Sequence, residues 1–168
     1  MAVCQCAGRI LFCRMEIAPL LRPATADDAA AIRALVRRAY AKWVPLIGRE
    51  PVPMQADYDR AVADHPFRLA ILPDGLVGVI EVIPQPDHLW IENLAVDPAF
   101  QGHGLARLLL AEAETIARSL RKPFLRLLTN EAFAGNVSLY QHFGYAITAR
   151  EAFRGGFTIH LAKSSALP

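Results

Sequence analysis

The spacing of apolar residues along the chain predicts helices and strands, and this spacing changes near residue 66. Before that point, apolar residues recur at three- and four-residue steps, the spacing of a helix that packs one face on a core. After it, short apolar runs bounded by turn residues predict strands, and two later stretches return to helical spacing. We expect helices over residues 26–43, 54–62, 104–120 and 134–143, and a loop over residues 45–53.

The strand-like runs predict one mixed α/β sheet. The second and third runs flank Pro73-Asp74-Gly75, a strong hairpin signal, so they start an antiparallel meander. The helix over residues 104–120 then links two strands as a crossover, which makes those two strands parallel. The expected strands cover residues 17–22, 67–72, 76–83, 89–96, 124–129, 145–151 and 157–162.

Composition and charge limit the classes of function. Apolar residues make up 54% of the 168 residues and charged residues 20%, which suits one globular domain with a substantial core. The formal net charge of +2 gives no support to nucleic acid as a partner, because binding to its backbone needs concentrated basic charge. No apolar run approaches the roughly 18 residues of a membrane-spanning helix, so we expect no membrane partner.

The three cysteines, Cys4, Cys6 and Cys13, all lie near the start of the chain. Their odd number and unpaired spacing fit neither a disulfide framework nor a zinc site, so no metal is predicted. Reduced thiols without an export signal predict a cytoplasmic protein. Because Met15 is a plausible alternative start just before the first predicted strand, we interpret residues 1–14 as an N-terminal extension and residues 15–168 as the domain.

The segment with the clearest chemistry is residues 94–106, Leu-Ala-Val-Asp-Pro-Ala-Phe-Gln-Gly-His-Gly-Leu-Ala, which joins a strand to the longest helix. Such a loop presents unpaired backbone N–H groups at the positive end of the helix dipole, which is an anion site. Gly102 and Gly104 let a phosphate approach the backbone closely. A P-loop is excluded because Leu105-Ala106 stands where Lys-Ser/Thr is needed, and a dinucleotide fingerprint lacks its third small residue and early acidic residue.

Three motifs in a fixed order carry a family resemblance. They are Leu-x-Val-x-Pro, then Gln-x-x-Gly-x-Ala, then Asn followed four residues later by Tyr and a Phe-Gly-Tyr. Their residues are Leu94, Val96, Pro98, Gln101, Gly104, Ala106, Asn136, Tyr140, Phe143, Gly144 and Tyr145. In these motifs and their spacing the chain resembles the GNAT superfamily of acetyl-CoA-dependent N-acetyltransferases, over residues 20–163.

The resemblance implies a mixed, mostly antiparallel central sheet with helices on both faces and a splayed pair of parallel strands. It also implies acetyl-CoA as the co-substrate, with its pantetheine arm paired to strand backbone and its pyrophosphate held by the loop. Arg107 would be a charge partner, and Asn136 would bind the cofactor arm. The cofactor-binding residues implied are Leu94, Ala95, Val96, Gln101, Gly102, His103, Gly104, Leu105, Ala106, Arg107, Asn136 and Tyr140.

The implied reaction is direct acetyl transfer to a primary amine. An amine with a pKa near about 10.4 is almost wholly protonated at pH 7, so a base contributes to the rate. Glu92 is the preferred base and Glu81 the second choice, while the Tyr140 hydroxyl would donate a proton to the departing thiolate. The backbone N–H near Leu94 would stabilise the oxyanion. The same residues also fit ordinary roles: solvated strand carboxylates, a core tyrosine and, for Asn136, a helix cap.

The acceptor site is expected among the first two helices, their loop and the central strands. Carboxylates and aromatic rings there suit a cationic amine with an apolar body, and they equally fit an ordinary surface. The acceptor-binding candidates are Tyr40, Trp43, Tyr58, Asn130 and Glu131, with Glu50 and Trp90 nearby. A ribosomal N-terminus, a polyamine, an amino acid and an antibiotic all remain open. A non-catalytic acyl-CoA-binding module is the alternative function, and a homodimer is possible because dimers are common in the family.

Overall fold

The computed structural model describes residues 18–165. The strands are β1 (Leu20–Pro23), β2 (Phe67–Leu72), β3 (Gly75–Pro84), β4 (Leu89–Val96), β5 (Phe124–Asn130), β6 (Ala146–Phe153) and β7 (Gly156–Ser164). The helices are α1 (Ala29–Tyr40), α2 (Val44–Ile47), α3 (Tyr58–Asp64), α4 (Leu105–Ser119) and α5 (Ala134–His142). The predicted extension over residues 1–14, with all three cysteines, lies outside the described residues.

All seven strands form one sheet in the order β1-β2-β3-β4-β5-β7-β6. Every neighbouring pair is antiparallel except β4 and β5, which are parallel. The crossover through α4 and the meander of β2, β3 and β4 are therefore confirmed, as is the mixed, mostly antiparallel fold class.

Helices cover both faces of the sheet and divide the core in two. On one face α4 packs with residues from β3, β4, β5 and β7. On the other face α1 and α3 pack against β2, β3 and β4. The buried stripe of α4 runs at four-residue steps through Leu105, Leu109 and Ala113 to Ala117. The sequence predicted helix up to residue 120, but α4 ends at Ser119, and Leu120, which lies beyond the last helical turn, is 44% exposed.

The first helical region differs from its prediction in detail. The expected loop over residues 45–53 contains α2, because Pro45 lies in a first helical turn, where its missing N–H leaves no bond unmade. The expected helix over residues 54–62 is a 3-10 turn at Val52–Gln55 followed by α3. Asp57 separates the two, since its carboxylate accepts hydrogen bonds from the first backbone N–H groups of α3.

Among the helices of residues 18–165, none combines the length and apolar character needed to cross a membrane.

Candidate active site

The two parallel strands diverge soon after they meet. β4 and β5 pair only at Leu89 with Leu125 and at Trp90 with Arg126. β4 nevertheless continues to Val96, paired on its other side with β3. The second half of β4 therefore has one edge that no strand covers, and a cavity of about 390 Å³ lies between the diverging strands. This is the splayed pair that the family resemblance implied.

A β-bulge in β4 sets which side chains reach this cavity. Glu81 of β3 lies opposite Asn93, whereas the next residue, Val82, lies opposite Ile91, so Glu92 is the extra residue. An extra residue moves the side chains that follow to the opposite faces of the sheet. Ile91 accordingly packs in the α4 core, while Asn93 contacts tyrosines of the α1 face.

Three further elements complete the cavity wall. α5 contributes Asn136 and Tyr140, α2 contributes its last residue, Ile47, and the segment after α2 contributes Arg49 and residues 51–53. The β6–β7 hairpin contributes Glu151, Phe153, Thr158 and His160. Sequence reasoning missed these hairpin residues and Arg49. Every residue of β6 is exposed to some degree, so its sequence carries no alternation that marks an inward face.

The loop before α4 has the geometry of an anion site. Gly102 and Gly104 have φ angles of +81° and +80°, and a Cβ at either position would meet no atom within 4 Å. The Leu108 N–H is the first in α4 to bond a backbone carbonyl four residues back, that of Gly104 at 3.1 Å. The N–H groups of Leu105, Ala106 and Arg107 precede that bond, as expected at a helix start. Open space, glycines and free N–H donors fit a diphosphate.

Gln101 fixes this loop to the end of β4. Its side-chain amide donates to the Val96 carbonyl at 3.1 Å and accepts from Lys42 at 3.0 Å. The His103 ring nitrogen Nδ1 lies 3.0 Å from the Gln101 carbonyl. The anion loop and the uncovered edge of β4 are therefore held in one rigid unit.

Tyr140 belongs both to the core and to the cavity wall. The residue is 8% exposed, and its ring meets the Tyr145 ring edge-on with centroids 5.8 Å apart. Burial raises the pKa of Tyr140, which keeps its hydroxyl protonated at neutral pH. Tyr140 also lines the cavity. The structure thus offers a proton donor on the cavity wall.

The two candidate bases have different surroundings. Glu92 is exposed, accepts a hydrogen bond from the Trp90 indole at 2.7 Å, and lines the cavity. Glu81 is only 4% exposed and lies 2.7 Å from the Nδ1 of His65. Burial raises the pKa of Glu81, and the hydrogen bond from His65 opposes that rise. Glu81 lines a second pocket of about 410 Å³, which Glu92 also lines.

A buried chain of hydrogen bonds supports the floor of the cavity. The Tyr40 hydroxyl donates to the Asn93 Oδ1 at 2.8 Å, and the Asn93 amide donates to the Tyr58 hydroxyl at 3.0 Å. The Tyr58 hydroxyl in turn donates to the Pro53 carbonyl at 2.9 Å. Burial raises the pKa of both tyrosines, so both remain donors. Sequence reasoning missed Asn93, although an amide inside a mostly apolar strand is a usable signal.

The other acceptor candidates occupy several places. Tyr40 and Asn130 line the main cavity, whereas Tyr58 lines the second pocket. Trp43 lies outside the cavity lining and stacks on Phe133, with ring centroids 4.3 Å apart. Glu131 also lies outside it, in a two-pronged ion pair with Arg150 at 2.7 and 2.9 Å.

Asn136 lies inside α5, on the cavity wall. Asn136 is the third residue of α5 rather than its cap, because Phe133 occupies the cap position and accepts from the Asn136 N–H at 2.8 Å. Asn136 is half-buried and its side chain is free to face the cavity that it lines. The described part of the chain holds no cluster of three metal-ligating side chains.

Comparisons with known proteins agree with this geometry. A family model described as the acetyltransferase (GNAT) family matches residues 30–145. Among curated proteins none matches the sequence.

Several solved structures share the fold. A GNAT-family protein from Desulfovibrio desulfuricans superposes with a TM-score of 0.74 at 22% identity, over 89% of this chain and 100% of that one. The PaiA N-acetyltransferase of Thermoplasma acidophilum, solved with coenzyme A, superposes with a TM-score of 0.76 at 18% identity, over 88% of this chain and 99% of that one. The ribosomal-protein-S18-alanine N-acetyltransferase of Escherichia coli superposes with a TM-score of 0.71 at 17% identity, over 89% of this chain and 95% of that one. Because the family model covers more than half of its length, this chain belongs to the GNAT family of acetyltransferases, acyltransferase enzymes whose co-substrate is acetyl-CoA.

Proposed function

We propose that this protein transfers the acetyl group of acetyl-CoA directly to a primary amine. One observation supports the proposal: the uncovered half of β4 lies between the glycine-containing loop before α4 and a cavity with a buried tyrosine and a carboxylate on its wall. A pantetheine arm carries amides that pair with strand backbone, and a diphosphate requires N–H donors. Both requirements are met along one continuous edge.

We assign the co-substrate to the residues along this edge. Leu94, Ala95 and Val96 would offer backbone groups to the pantetheine arm, and Asn136 would contact it from α5. Residues 102–107 would hold the diphosphate, with the exposed Arg107 guanidinium as its charge partner. Acetyl-CoA supplies an activated acetyl group as a thioester, and the protein supplies position and proton transfer.

Proton transfer falls to two side chains on the cavity wall. Tyr140 would protonate the departing thiolate, because its buried hydroxyl keeps its proton at neutral pH. Glu92 would accept the proton of the amine, directly or through water, because it lines the cavity itself. Glu81 is the weaker candidate, since it lines only the second pocket and is already bonded to His65.

Direct transfer is supported by the positions of the cysteines. A covalent acetyl-enzyme needs an activated nucleophile near the thioester. Cys4, Cys6 and Cys13 all precede residue 14, far in sequence from the motifs of the cavity. We therefore expect both substrates to be bound together when the acetyl group moves.

Thiol release from acetyl-CoA, measured with a panel of amines, tests this function. We expect amine-dependent release of coenzyme A, with acetylated amine found by mass spectrometry in equal amount. Binding of coenzyme A without release for any amine would instead support the non-catalytic acyl-CoA-binding module. Incubation with acetyl-CoA alone should leave the protein mass unchanged, and a gain of one acetyl group would contradict direct transfer.

A further inference from the structure

Arg49 stands out among the charged residues of the cavity. It lines the cavity, and within residues 18–165 it makes no ion pair with a carboxylate. Its neighbour Glu50, by contrast, is paired with Arg37 at 2.8 Å. An arginine guanidinium stays charged at any physiological pH, so the cavity carries a positive charge that no carboxylate of the described residues pairs with.

The chain segment around Arg49 is held in place. Gly48 ends α2 with a φ of +66°, and Pro51 and Pro53 restrict the backbone that follows. Arg37 ties the segment to α1, because it bonds both Glu50 and, at 3.2 Å, the Met54 carbonyl. Arg49 is thus presented to the cavity from a fixed backbone.

The Arg49 side chain also has an aromatic neighbour. Its guanidinium carbon lies 5.8 Å from the centroid of the Phe153 ring, which is itself 42% exposed and lines the cavity. A guanidinium beside an aromatic ring gains a cation–π contact and keeps N–H donors for a planar anion. The pairing of Arg49 with Phe153 is therefore suited to holding a carboxylate.

The carboxylates of the cavity are already engaged. Glu92 accepts from the Trp90 indole at 2.7 Å, and Glu151 lies 3.0 Å from the His160 ring nitrogen Nε2. The cavity lining therefore carries both the carboxylates of these glutamates and the guanidinium of Arg49. A molecule with charges of both signs would match this arrangement.

We propose that the amine acceptor also carries a carboxylate, as a free amino acid does, and that Arg49 binds this carboxylate. The inference rests on the proposed function and narrows its acceptor class. The amine of the acceptor would lie toward Glu92, the side chain assigned as its base. The charge of one guanidinium balances the single charge of a carboxylate. A cavity of about 390 Å³ suits a molecule of this size.

The test compares amino acids with their own amides, which keep the amine and lose the negative charge. With the wild-type protein we expect kcat/KM to be about 10- to 100-fold higher for the best amino acid than for its amide. Arg49→Gln should remove this preference, mainly through a higher KM for the acid, and Arg49→Lys should restore part of it. Activity on the amide should fall much less than activity on the acid, because the amide loses no charge pair.

Arg154→Gln is the matched control. Arg154 lies 5.2 Å from the same Phe153 ring but does not line the cavity. This variant loses the same charge beside the same ring, so its preference for acids should equal that of the wild type. Thermal melting checks that each variant is folded. Coenzyme A binding should be equal in all of them.

Three results would overturn the inference. The first is equal use of acids and amides by the wild-type protein, and the second is an Arg49→Gln variant that keeps the preference. The third is acetylation of diamines or peptide N-termini while every amino acid is refused, which would leave the proposed function standing. Binding of coenzyme A without acetylation of any amine would instead defeat the proposed function, and this inference with it.

Discussion

Two buried tyrosines near the cavity differ in what their hydroxyls can reach. The hydroxyl of Tyr145 is sealed from solvent and has no hydrogen-bond partner in the described structure. Tyr140, whose ring contacts that of Tyr145, lines the cavity. Burial raises the pKa of both residues, so each keeps its proton. Of these two tyrosines, only Tyr140 lines the cavity, and the proposed proton transfer is therefore assigned to it.

Replacing Tyr140 with Phe should lower kcat by about 10²- to 10⁴-fold, because the proton donor is lost while the ring and its packing remain. The free energy of unfolding should stay within about 0.5 kcal/mol of the wild-type value. Steady-state thiol release and thermal melting measure these two quantities. A variant with wild-type kcat would remove Tyr140 from the mechanism.

Tyr145→Phe is the matched control and a prediction in its own right. A buried hydroxyl without a partner costs about 1–3 kcal/mol, so its removal should raise the free energy of unfolding by about 1 kcal/mol. Activity should be unchanged, because this hydroxyl does not face the cavity. Urea denaturation supplies the measurement, and a lower midpoint would show that the hydroxyl has a stabilising role.

Single residues were predictable where a motif named them, and less so elsewhere. Glu92 and Tyr140 stand on the cavity wall, but Asn93 and Arg49 were not anticipated. Their roles arise from contacts with residues distant in sequence, such as Tyr58 and Phe153. The spacing of residues along the chain does not predict contacts between residues that are distant in sequence.

At the scale of elements, the start of α1 shows how one carboxylate organises a helix. Asp28 accepts from the Thr25 backbone N–H at 2.7 Å and from Arg22 at 2.7 and 2.8 Å. The hydrogen bonds from Arg22 lower the pKa of Asp28 far below its usual value, with a smaller contribution from Thr25. Thr25 and Asp28 form a capping box at the position where the sequence predicted the helix to begin, residue 26.

Asp28→Asn should destabilise the fold by about 1 kcal/mol at pH 7, because the cap and its charged partner are weakened. The folded pKa of Asp28 is depressed, so its stabilisation is present above the unfolded value near about 3.9 and lost as the pH falls further. The difference between variant and wild type should therefore shrink below about pH 4. Urea denaturation at several pH values measures it.

Asp27→Asn is the control for that experiment, because Asp27 lies in the same first turn without a hydrogen bond or ion pair to any described residue. The Asp27→Asn variant should lose less than about 0.5 kcal/mol of the free energy of unfolding, because it leaves the hydrogen bonds of Asp28 intact. An equal loss in both variants would mean that general helix-dipole charge, rather than the Asp28 bonds, stabilises this helix start.

The loop before α4 allows a second test at this scale. Gly104→Ala forces a residue with a Cβ into a left-handed backbone, which costs about 1–2 kcal/mol of stability. Its methyl group would also stand in the open space before the helix N-terminus. We expect coenzyme A to bind at least about tenfold more weakly, as measured by calorimetry.

Gly155→Ala separates strain from binding. Gly155, in the turn between β6 and β7, has a φ of +81° and equally open surroundings. It should lose similar stability and keep wild-type affinity for coenzyme A. If both variants bound coenzyme A as the wild type does, the loop before α4 would not be the diphosphate site.

Elements were largely predictable because periodicity and turn residues are local properties. β2 and β4 have the expected bounds, and most other strands agree to within a few residues. The bulge at Glu92 was not predictable, since it depends on the register between β3 and β4. That register decides on which face of the sheet Asn93 lies, so the side chains that line the cavity could not be predicted from the sequence.

At the scale of the whole molecule, the cavity gathers residues from α1 to β7. Its walls include Tyr40 near one end of the chain and His160 near the other. The order of elements predicted a mixed sheet with one parallel pair, and this topology places the uncovered edge of β4 beside α5. The acceptor end depends instead on how the β6–β7 hairpin and the segment after α2 approach each other, which no local pattern encodes.

The central claim is that the gap between β4 and β5 is where the thioester of acetyl-CoA meets an amine. A crystal structure of the protein with coenzyme A measures this most directly. The account predicts the diphosphate against the N–H groups of residues 102–107, the pantetheine arm along Leu94–Val96, and the sulfur within reach of the Tyr140 hydroxyl. Coenzyme A bound away from this gap, or with its sulfur remote from Tyr140, would contradict it.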